Sequence, residues 1–485
     1  MYDAKNAGMG GAGVAHLDTP VAVFHNPANL AGSKETQLQG NLTALIVQLG
    51  GSFSGPEQFQ ETDWLAVPLP FFGLSYPVNE SLTVGSAFYF ALGFGGGYDD
   101  VKRFGTGAPC TSELDDVLVV DGDLWLVDPS AQDNDFCLDS GREEYVGLAI
   151  FEASFPFAYQ VNRKLKVGAA LRFPFGMFEQ KTTQDIWGAF INNQKPIGGY
   201  GLGYTQVKSK MYGYGKPGFL LGVSYQVWPF LTLAATYRSE VSVTMEGDTD
   251  LLLGTNVMLE PLIDNFGHLP IGSFQSLIED LPGFGDLLDV KSDDSLSRFA
   301  NRLATNINSE IEWSIPRAIE LGLAINLTPD WLLAIDWRHQ YHSESNKEFL
   351  VMLKEPIFEK TGLDALGQTL AWKDVYVWSF GLEYDYSDAV KFRVGYSVGN
   401  SATPETYTNP FTPPPADKQD AYYWGVGWLD GRWQTDFALS YARVENWIEE
   451  GKYSTCQPGQ LVKSGCPGAQ SVTSIFVSLS LNYIY

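Results

Sequence analysis

The sequence predicts an all-β fold: a transmembrane antiparallel β-barrel of about 14 strands with an N-terminal plug, or hatch, inside its lumen. Three observations support this prediction. Apolar residues alternate with period two from Thr36 onward, short and long connections follow one another in turn, and a glycine-rich segment precedes the first strand. We therefore expect residues 1–35 to form the hatch and residues 36–485 to form the barrel with its loops.

Composition agrees with a barrel rather than with a bundle of membrane helices. The 485 residues include 50 glycines and only 18% charged residues, against a usual charged fraction of about 25%. No run of about 20 apolar residues offers a transmembrane helix, whereas a barrel strand needs an apolar residue only at every second position. The net charge of −26 argues against a nucleic-acid partner, because binding phosphates requires clusters of lysine and arginine.

The acidic residues concentrate in two stretches, CTSELDDVLVVDGDLWLVDPSAQDNDFCLDSGREE and DVKSDDS, which are typical of solvated loops. Calcium binding is the alternative for four aspartates of the first stretch, Asp115, Asp116, Asp121 and Asp123. Their spacing matches no EF-hand loop, so we expect no metal site, and no sequence motif indicates a cofactor.

The first segment contains NAGMGGAGVAH and then AVFHNPANLAG, which are rich in small residues and turn formers. Asn26-Pro27 indicates a sharp turn, because proline cannot donate to a strand ladder and disfavours helix in the residue before it. Barrels of about eight strands are filled by their own side chains, whereas a barrel of about 14 leaves a lumen that needs an occupant. The apolar residues Val23, Phe24 and Leu30 favour a buried plug over a flexible tail.

The C-terminal stretch SVTSIFVSLSLNYIY shows the alternation most clearly. One face is apolar and aromatic, and the other is mostly small and polar. In a membrane barrel the apolar face contacts lipid and the polar face lines the lumen. The apolar face consists of Ile475, Val477, Leu479, Leu481, Tyr483 and Tyr485.

The same alternation predicts fourteen strands, an even number, as bacterial outer-membrane barrels have. They cover 37–50, 65–78, 82–95, 146–162, 164–181, 210–227, 230–246, 309–327, 331–349, 372–386, 389–400, 420–430, 433–447 and 472–485. The connections on one side are tight turns such as VNES, NRK and TPD. The connections on the other side are long loops, at about 96–145, 182–209, 247–308, 350–371, 401–419 and 448–471. A Greek-key sandwich would not separate loop lengths in this way.

Charged residues of the predicted strands fall on the inward face. In the strand 331–349, Trp337 points outward, and Asp336 and Arg338 point inward. Charges on the lipid face would cost about 2–4 kcal/mol each at the midplane, so inward placement is favoured. The inward residues either form structural ion pairs or contact a ligand, and Arg172 and Arg338 are the candidates for binding a substrate carboxylate.

Several stretches resemble one known family. GMGGAGVAHLDTPVAVFHNPANLAG is similar to the N-terminal hatch of the FadL/TodX outer-membrane transporters of hydrophobic compounds. The family pattern continues in FAYQVNRKLKVGAALRF, IPRAIELGLAINLTPDWLLAIDWRH and WSFGLEYDYSDAVKFRVGYSVGNSATPE. The resemblance covers nearly the whole barrel and leaves the long loops unmatched. It implies a bacterial outer-membrane barrel of fourteen strands with a hatch at its N-terminus.

The resemblance also implies a kink in the third strand that opens the wall sideways. Asn26, Pro27 and Ala28 match the hatch motif next to this opening, and Phe24 precedes them. The third strand, LTVGSAFYFALGFGGGYDD, ends in four glycines, Gly93, Gly95, Gly96 and Gly97. Glycine eases a bulge or bend and leaves room for a ligand, whereas the alternative is an ordinary strand end before a long loop.

One long loop contains a second candidate site for hydrophobic ligands. Residues 257–290 are amphipathic and carry apolar residues at helical spacing. The resemblance implies an outer groove that collects substrate, and the alternative is a helical loop that packs on the barrel rim. The apolar residues are Leu259, Leu262, Ile263, Phe266, Phe274, Leu277 and Ile278.

Together these features predict a passive uptake channel for hydrophobic molecules, either long-chain fatty acids or aromatic and aliphatic hydrocarbons. Substrate would be captured at the loops, enter the lumen and leave sideways through the third-strand gap into the outer-membrane lipid. We expect a monomer without a cofactor, and not an enzyme, because no Ser–His–acid constellation can be assembled from the spacing. A general porin for polar solutes is the main alternative, and an outer-membrane enzyme or an adhesin are weaker ones.

The four cysteines fall into two local pairs, each within one predicted long loop. This arrangement predicts the disulfides Cys110–Cys137 and Cys456–Cys466, because disulfides form in oxidising compartments and no CxxC motif or nearby histidine favours a metal. Peptide mapping of the non-reduced protein should therefore find these two linkages. A linkage of Cys110 to Cys456 would contradict both the pairing and the loop boundaries.

Overall fold

The computed structural model describes residues 3–52, 59–101, 118–120, 123–125, 142–184, 203–255, 306–355, 365–448 and 468–485. The four cysteines, most of the acidic stretch and all of 257–290 lie outside these residues. The disulfides, the calcium alternative and the outer groove therefore stay predictions.

The bounds of the strands and helices follow the chain. The strands are β1 Gln37–Ser52, β2 Phe59–Glu61, β3 Leu65–Pro77, β4 Leu82–Val101, β5 Leu118–Val120, β6 Asp123–Trp125, β7 Arg142–Gln160, β8 Leu165–Gln184, β9 Gly203–Gly215, β10 Gly218–Trp228, β11 Leu231–Arg238, β12 Val241–Thr255, β13 Ile307–Ile315, β14 Ala318–Thr328, β15 Trp331–Gln340, β16 Glu348–Leu353, β17 Ala365–Thr369, β18 Val375–Asp385, β19 Val390–Gly399, β20 Gln419–Asp430, β21 Trp433–Ile448 and β22 Gly468–Ile484. The helices are α1 Ala4–Gly8, α2 Ala22–His25 and α3 His342–Ser345, and 3-10 turns cover Pro27–Leu30 and Glu405–Tyr407. Among the described residues, no helix is long and apolar enough to cross a membrane.

Twenty of these strands form one closed antiparallel sheet, and β1 pairs with β22 to close it. Six barrel strands are each built from two consecutive pieces, namely β2–β3, β9–β10, β11–β12, β13–β14, β15–β16 and β17–β18. The sheet is therefore a barrel of fourteen strands. The predicted all-β fold, an antiparallel barrel of fourteen strands, is confirmed.

The two-piece strands break where the chain cannot continue a regular ladder. Pro217 separates β9 from β10, and Pro316 lies between β13 and β14. Proline lacks the N–H group that a ladder needs. In the ninth barrel strand the helix α3 separates β15 from β16, so the prediction of one continuous strand over 331–349 is wrong.

Several strands extend further toward the long loops than the alternation predicts. The third barrel strand, β4, continues to Val101, and β12 continues to Thr255. The sixth begins at Gly203, inside a range predicted as loop. The loop ranges 96–145, 182–209 and 247–308 are therefore too wide.

The outward and inward faces of the wall differ in polarity, as the sequence predicts for one face in contact with lipid and one face that lines the lumen. In β22, Leu479 and Leu481 are 49% and 45% exposed, whereas Ser478 and Ser480 are buried. The exposed leucines belong to the outward face. Leucine side chains need no hydrogen-bond partner, so this face is suited to contact with the hydrocarbon of the membrane.

Toward the long loops the polarity of the wall is reversed. Ile311 and Trp313 of β13 are buried on the inward face, and Glu312 between them is exposed on the outward face. In the neighbouring β12, Met245 is buried and Glu246 is exposed. Outward charges are unfavourable in hydrocarbon, so this part of the wall extends beyond the lipid and has an apolar interior, as a soluble protein does.

Candidate functional site

Residues 3–33, the N-terminal segment, lie inside the barrel in the half nearer the short turns. The backbone N–H of Ala4 donates to Ser480 Oγ of the last strand at 2.8 Å. The N–H of Gly13 donates to Asp336 Oδ2 of the ninth barrel strand at 2.6 Å. Inward side chains of widely separated strands therefore hold one continuous segment between them.

The Asn-Pro-Ala motif of this segment lies against the fifth and sixth barrel strands. The Asn26 side chain accepts a hydrogen bond from Ala28 N at 3.1 Å and caps the 3-10 turn that begins at Pro27. A Cβ atom at Gly168 would lie 2.3 Å from Ala28 N, and one at Gly222 would lie 2.0 Å from Asn26 Oδ1. Glycine at these two positions of the wall therefore permits the close approach of the Asn-Pro-Ala motif. These contacts differ from the expectation that the motif lies beside the third-strand glycines.

Phe24 brings the N-terminal segment against the third barrel strand. Its ring makes an edge-to-face contact with Tyr89 of β4, with centroids 5.3 Å apart, and Tyr89 stacks on Phe71 of β3 at 6.4 Å. The guanidinium carbon of Arg238 lies 4.1 Å from the Phe24 ring centroid, and Arg238 Nη2 donates to the Phe24 carbonyl oxygen at 2.5 Å. A cation over a ring face is attractive, so Arg238 holds Phe24 in place.

Arg172, a candidate for binding a substrate carboxylate, is paired with a carboxylate of the barrel itself. Its Nε donates to Glu152 Oε2 at 2.9 Å, its Nη2 donates to Glu152 Oε1, and its Nη1 donates to the Ser239 carbonyl oxygen at 2.8 Å. The Tyr89 hydroxyl also donates to Glu152 Oε2, at 2.7 Å. Both charged side chains are fully buried. Removing either partner would leave an uncompensated buried charge, which makes this pair part of the wall.

Arg338, the other candidate, also lies beside a barrel carboxylate. Its Nε is 3.0 Å from Oε1 of Glu320 on the neighbouring strand. Another arginine of the lumen, Arg393, is buried and donates to Glu383 at 2.6 Å and to Asp436 at 2.5 Å. The structure therefore places the inward charges mainly in cross-strand ion pairs, which was one of the two interpretations left open by the sequence.

The ladder between the second and third barrel strands is interrupted. Pairing of β3 with β4 runs from Pro77–Thr83 to Phe71–Tyr89 and ends there, although β3 continues back to Leu65. Beyond Tyr89, β4 keeps its pairing with β7 on the other side. Two prolines, Pro68 and Pro70, occupy the part of β3 that does not pair with β4, and they have no N–H to donate. Among the described residues, the β3–β4 ladder is therefore interrupted above Phe71 and Tyr89.

Above this point β4 turns into the lumen. A register shift between Phe90 and Leu92 makes Ala91 a bulge, which exchanges the inward and outward faces of the strand. The buried residues Tyr98 and Val101 then pack on Val47 and Leu49 of β1, which face the lumen. The ladder is interrupted because this part of β4 keeps its pairing with β7 but packs on the lumen face of β1 instead of pairing with β3.

The glycines of β4 allow this bend by close packing. Gly95 has φ of +143°, and a Cβ there would lie 2.0 Å from the Val146 carbonyl oxygen. A Cβ at Gly96 would lie 2.4 Å from Leu49 Cδ1, whereas at Gly97 the nearest atom is 3.4 Å away. The space expected for a ligand beside Gly95 and Gly96 is therefore occupied by protein atoms, and these two glycines serve the path of the strand.

The lumen above the N-terminal segment is lined by buried apolar side chains, the upper apolar cluster. They come from inward positions of six strands and of the connection that follows β17. The members are Val146, Leu148, Ile150, Phe178, Val207, Met211, Val241, Val243, Met245, Ile307, Ile311, Trp313, Ile315, Phe349, Val351, Leu353, Leu370 and Trp372. Leu92, Phe94 and Phe411 pack against the cluster, and the bulge residue Ala91 packs both against it and against the cluster of Phe24, Phe71 and Tyr89.

The family model described as outer membrane protein transport protein (OMPP1/FadL/TodX) matches residues 133–485, which is more than half of the chain. The chain belongs to this family. The resemblance found in the sequence is thereby confirmed, and the transport role of the family agrees with the prediction that the chain is not an enzyme. No curated protein matches the chain.

Solved structures of the FadL/TodX family share the fold at low sequence identity. A FadL homologue of Pseudomonas aeruginosa has a TM-score of 0.70 at 14% identity, over 99% of this chain and 98% of that one. The toluene transporter TodX of Pseudomonas putida has a TM-score of 0.65 at 14% identity, over 100% and 98% of the chains. The toluene transporter TbuX of Ralstonia pickettii has a TM-score of 0.60 at 16% identity, over 100% and 98%. At these identities the likeness establishes the fold of this FadL/TodX member.

Sequence reasoning missed the upper apolar cluster and the bulge at Ala91. The stretch INSEIEWSI does contain a signal, because its apolar residues alternate with charged ones. The alternation alone does not tell which face is inward, and the prediction of apolar residues facing outward fails here. The reversal becomes visible only when Trp313 is placed by the register of β13 against β12.

The contact of Asp336 with the N-terminal segment can be tested by substitution. Asp336→Ala removes the acceptor of the Gly13 and Val14 N–H groups, which donate to Oδ2 at 2.6 and 2.9 Å. Each unpaired buried N–H costs about 1–3 kcal/mol, so amide hydrogen exchange at these two residues should accelerate at least about tenfold. Hydrogen exchange followed by mass spectrometry in detergent measures this change.

The matched control is Asp385→Ala, which removes a partly exposed carboxylate that pairs with Lys391 at 2.8 Å near a short turn. This variant should leave exchange at Gly13 and Val14 unchanged. Unchanged exchange in a folded Asp336→Ala barrel would show that other contacts hold the segment.

Proposed function

We propose that the protein is a passive outer-membrane uptake channel for hydrophobic small molecules that leave sideways into the membrane. The observation that carries this proposal is the interrupted ladder between β3 and β4, which we interpret as a gap in the wall. It lies where the upper apolar cluster meets the N-terminal segment, since Ala91 packs against both sides. A molecule in the upper lumen therefore has a wall opening at its lower boundary.

The chemistry of the lumen favours an apolar substrate. Transfer of apolar surface out of water is favourable by about 0.8 kcal/mol for each buried CH₂ group. A polar solute would instead lose hydrogen bonds to water beside Trp313, Phe349 and their apolar neighbours. This contrast supports hydrophobic uptake over the general porin that was the main alternative.

The N-terminal segment acts in this proposal as a plug that closes the axial route. Its buried apolar residues and its hydrogen bonds to opposite walls support this role, because a tail without function would not need them. A substrate that descends from the upper lumen then meets Phe24 and Tyr89, which lie at the lower edge of the gap.

An interrupted ladder facing hydrocarbon supports a lateral route. Backbone groups without partners in lipid cost several kcal/mol each, so an open ladder is unfavourable unless it has a use. The bulge at Ala91 and the left-handed Gly95 build the interruption into the fold. The outward face beside it is apolar, with Phe72 59% exposed.

For the substrate class, uncharged hydrophobic molecules fit better than fatty acids. Arg172 and Arg338, the residues predicted to bind a carboxylate, lie beside Glu152 and Glu320. Two relatives are described as toluene transporters and a third as a monoaromatic hydrocarbon channel. We infer that aromatic or aliphatic hydrocarbons are preferred over long-chain fatty acids, with capture at the outer loops as the sequence predicts.

Deletion of residues 1–35 tests the plug. The barrel ladder closes between β1 and β22 without these residues, so heat-modifiable gel mobility should survive. Ion conductance in planar bilayers should rise from a closed level to that of an open pore. A truncated barrel that folds and conducts no ions would contradict the plug, and high conductance of the intact protein would favour the general porin.

Enlarging the bulge residue tests the lateral route. Ala91→Trp should fill the passage between the upper apolar cluster and Phe24, since Ala91 packs against both. Uptake of a labelled hydrocarbon by cells should fall to the level of cells without the protein. Gly95 is a poor site for this test, because any side chain there would collide with the backbone of β7.

The matched control is Ala149→Trp, which adds the same side chain to β7 at the level of Gly93 but on the outward side of the wall. Uptake by this variant should stay normal. Normal uptake by a well-folded Ala91→Trp variant would exclude the lateral route past this residue.

A further inference from the structure

Four aromatic rings meet inside the upper apolar cluster, three of them from the wall opposite the gap. Trp313 and Trp372 meet edge to face with centroids 5.3 Å apart, and Trp313 and Phe349 are 5.7 Å apart. The fourth ring, Phe94 of β4, lies 5.1 Å from Trp313 and 5.9 Å from Phe349. Three rings thus enclose a fourth at the distances typical of aromatic pairs.

The tryptophans of this group carry polar atoms that have no partner among the described residues. Trp313 Nε1 and Trp372 Nε1 are buried and make no hydrogen bond there. The ring of His342 lies 5.5 Å from that of Trp372, and its Nδ1 is likewise buried and unpartnered. Buried indole N–H groups usually find an acceptor, because an unmade hydrogen bond in an apolar site is unfavourable. The site therefore offers two donors to something that brings an acceptor.

Phe94 differs from the other three rings in the strand that carries it. It follows the bulge at Ala91 and stands between Gly93 and Gly95, on the part of β4 that pairs with β7 but no longer with β3. Trp313 and Phe349 lie on β13 and β16, and Trp372 lies in the connection that follows β17. Phe94 is also partly exposed, whereas Trp313 is 1% exposed. Its side chain can leave the site without disrupting the pairing of β13 or β16.

We propose that Trp313, Phe349 and Trp372 form a binding site for a neutral aromatic molecule that carries a hydrogen-bond acceptor oxygen, and that Phe94 occupies this site when no ligand is bound. This assignment rests on the proposed uptake of hydrophobic molecules and names the preferred class among them. The ligand ring takes the place of the Phe94 ring, and its oxygen accepts from an indole N–H. Such a ligand satisfies a donor that a plain hydrocarbon leaves unpaired.

A charged ligand fits this site less well. The described side chains of the cluster are apolar apart from the indole N–H groups, and burying a carboxylate among them without a cation is unfavourable. The arginines of the lumen, such as Arg172, already serve carboxylates lower in the barrel. An aryl ketone, aldehyde or ether has the acceptor without the charge.

The test compares two probes of nearly equal shape, acetophenone and ethylbenzene, in calorimetric titrations of the full-length protein in detergent. The wild-type protein should bind both. Trp313→Phe and Trp372→Phe keep a ring but remove the N–H, so at least one of them should weaken acetophenone binding about five- to tenfold, as expected for one buried hydrogen bond. Ethylbenzene binding should stay nearly unchanged. The partition of a probe into detergent micelles is the same for every variant. It therefore cancels when the binding of that probe is compared between variants.

Two further variants separate the site from general effects. Trp378→Phe removes an indole N–H from the lipid-facing side of β18, where Trp378 is 47% exposed, and should affect neither probe. Phe94→Ala removes the internal competitor and should tighten the binding of both probes. Weaker binding of both would show that Phe94 supports the ligand rather than competing with it, which would overturn that part of the proposal.

The acceptor role also has a readout that needs no variant. The carbonyl stretching band of acetophenone bound to the wild-type protein should shift to lower wavenumber than in hydrocarbon solvent, because the carbonyl accepts a hydrogen bond. An unshifted band would overturn the assignment. An equal loss of binding affinity for both probes in the tryptophan variants would also overturn it. Hydrocarbon uptake that still depends on Ala91 would leave the proposed function intact in that case, whereas the loss of all protein-dependent uptake would refute the function itself.

Discussion

A strand in hydrocarbon has to pair its backbone N–H and C=O groups within the protein, and the architecture of this barrel depends on how that requirement is met. The ladder closes between β1 and β22 over nearly the full length of both strands. Between β3 and β4 it stops at Phe71 and Tyr89. The bulge at Ala91, the prolines of β3 and the path of β4 into the lumen all belong to this one interruption. The N-terminal segment and the apolar lumen meet beside it.

The lower part of the lumen is polar, and the upper part is apolar. The lower lumen holds a polypeptide, so it presents acceptors such as Asp336 and buried ion pairs such as Glu152–Arg172. Buried charges need partners, and cross-strand pairing supplies them without placing charged side chains on the lipid face. The upper lumen presents apolar and aromatic side chains, because the wall there extends beyond the lipid and can carry its charges outside. A hydrophobic molecule is thus favoured in the upper lumen and disfavoured in the lower lumen.

The fold is shared with relatives at 14–16% identity because a barrel constrains pattern more than residue type. Any apolar side chain serves on the lipid face, provided that the period of two and the turn positions are kept. On the inward face, side chains of strands far apart in the chain contact one another. In this chain Trp313, Trp372 and Phe94 do so, and their contacts depend on distances across the lumen rather than on sequence neighbours.

The sequence by itself determined the architecture: strand number, the separation of short from long connections, the faces of β22 and the inward charges all follow from period two and the cost of a charge in lipid. It did not determine the site. Ala91 looks like any strand alanine, Gly95 and Gly96 read as room for a ligand rather than as close packing, and the reversed faces of β12 and β13 have the same alternation as lipid-facing strands. The break in 331–349 at α3 was equally hidden. Alternation records that two faces differ, but which face is inward depends on register and on the level of the lipid. Only pairing across strands far apart in the chain fixes these, and so only the tertiary structure places Phe94 among Trp313, Phe349 and Trp372.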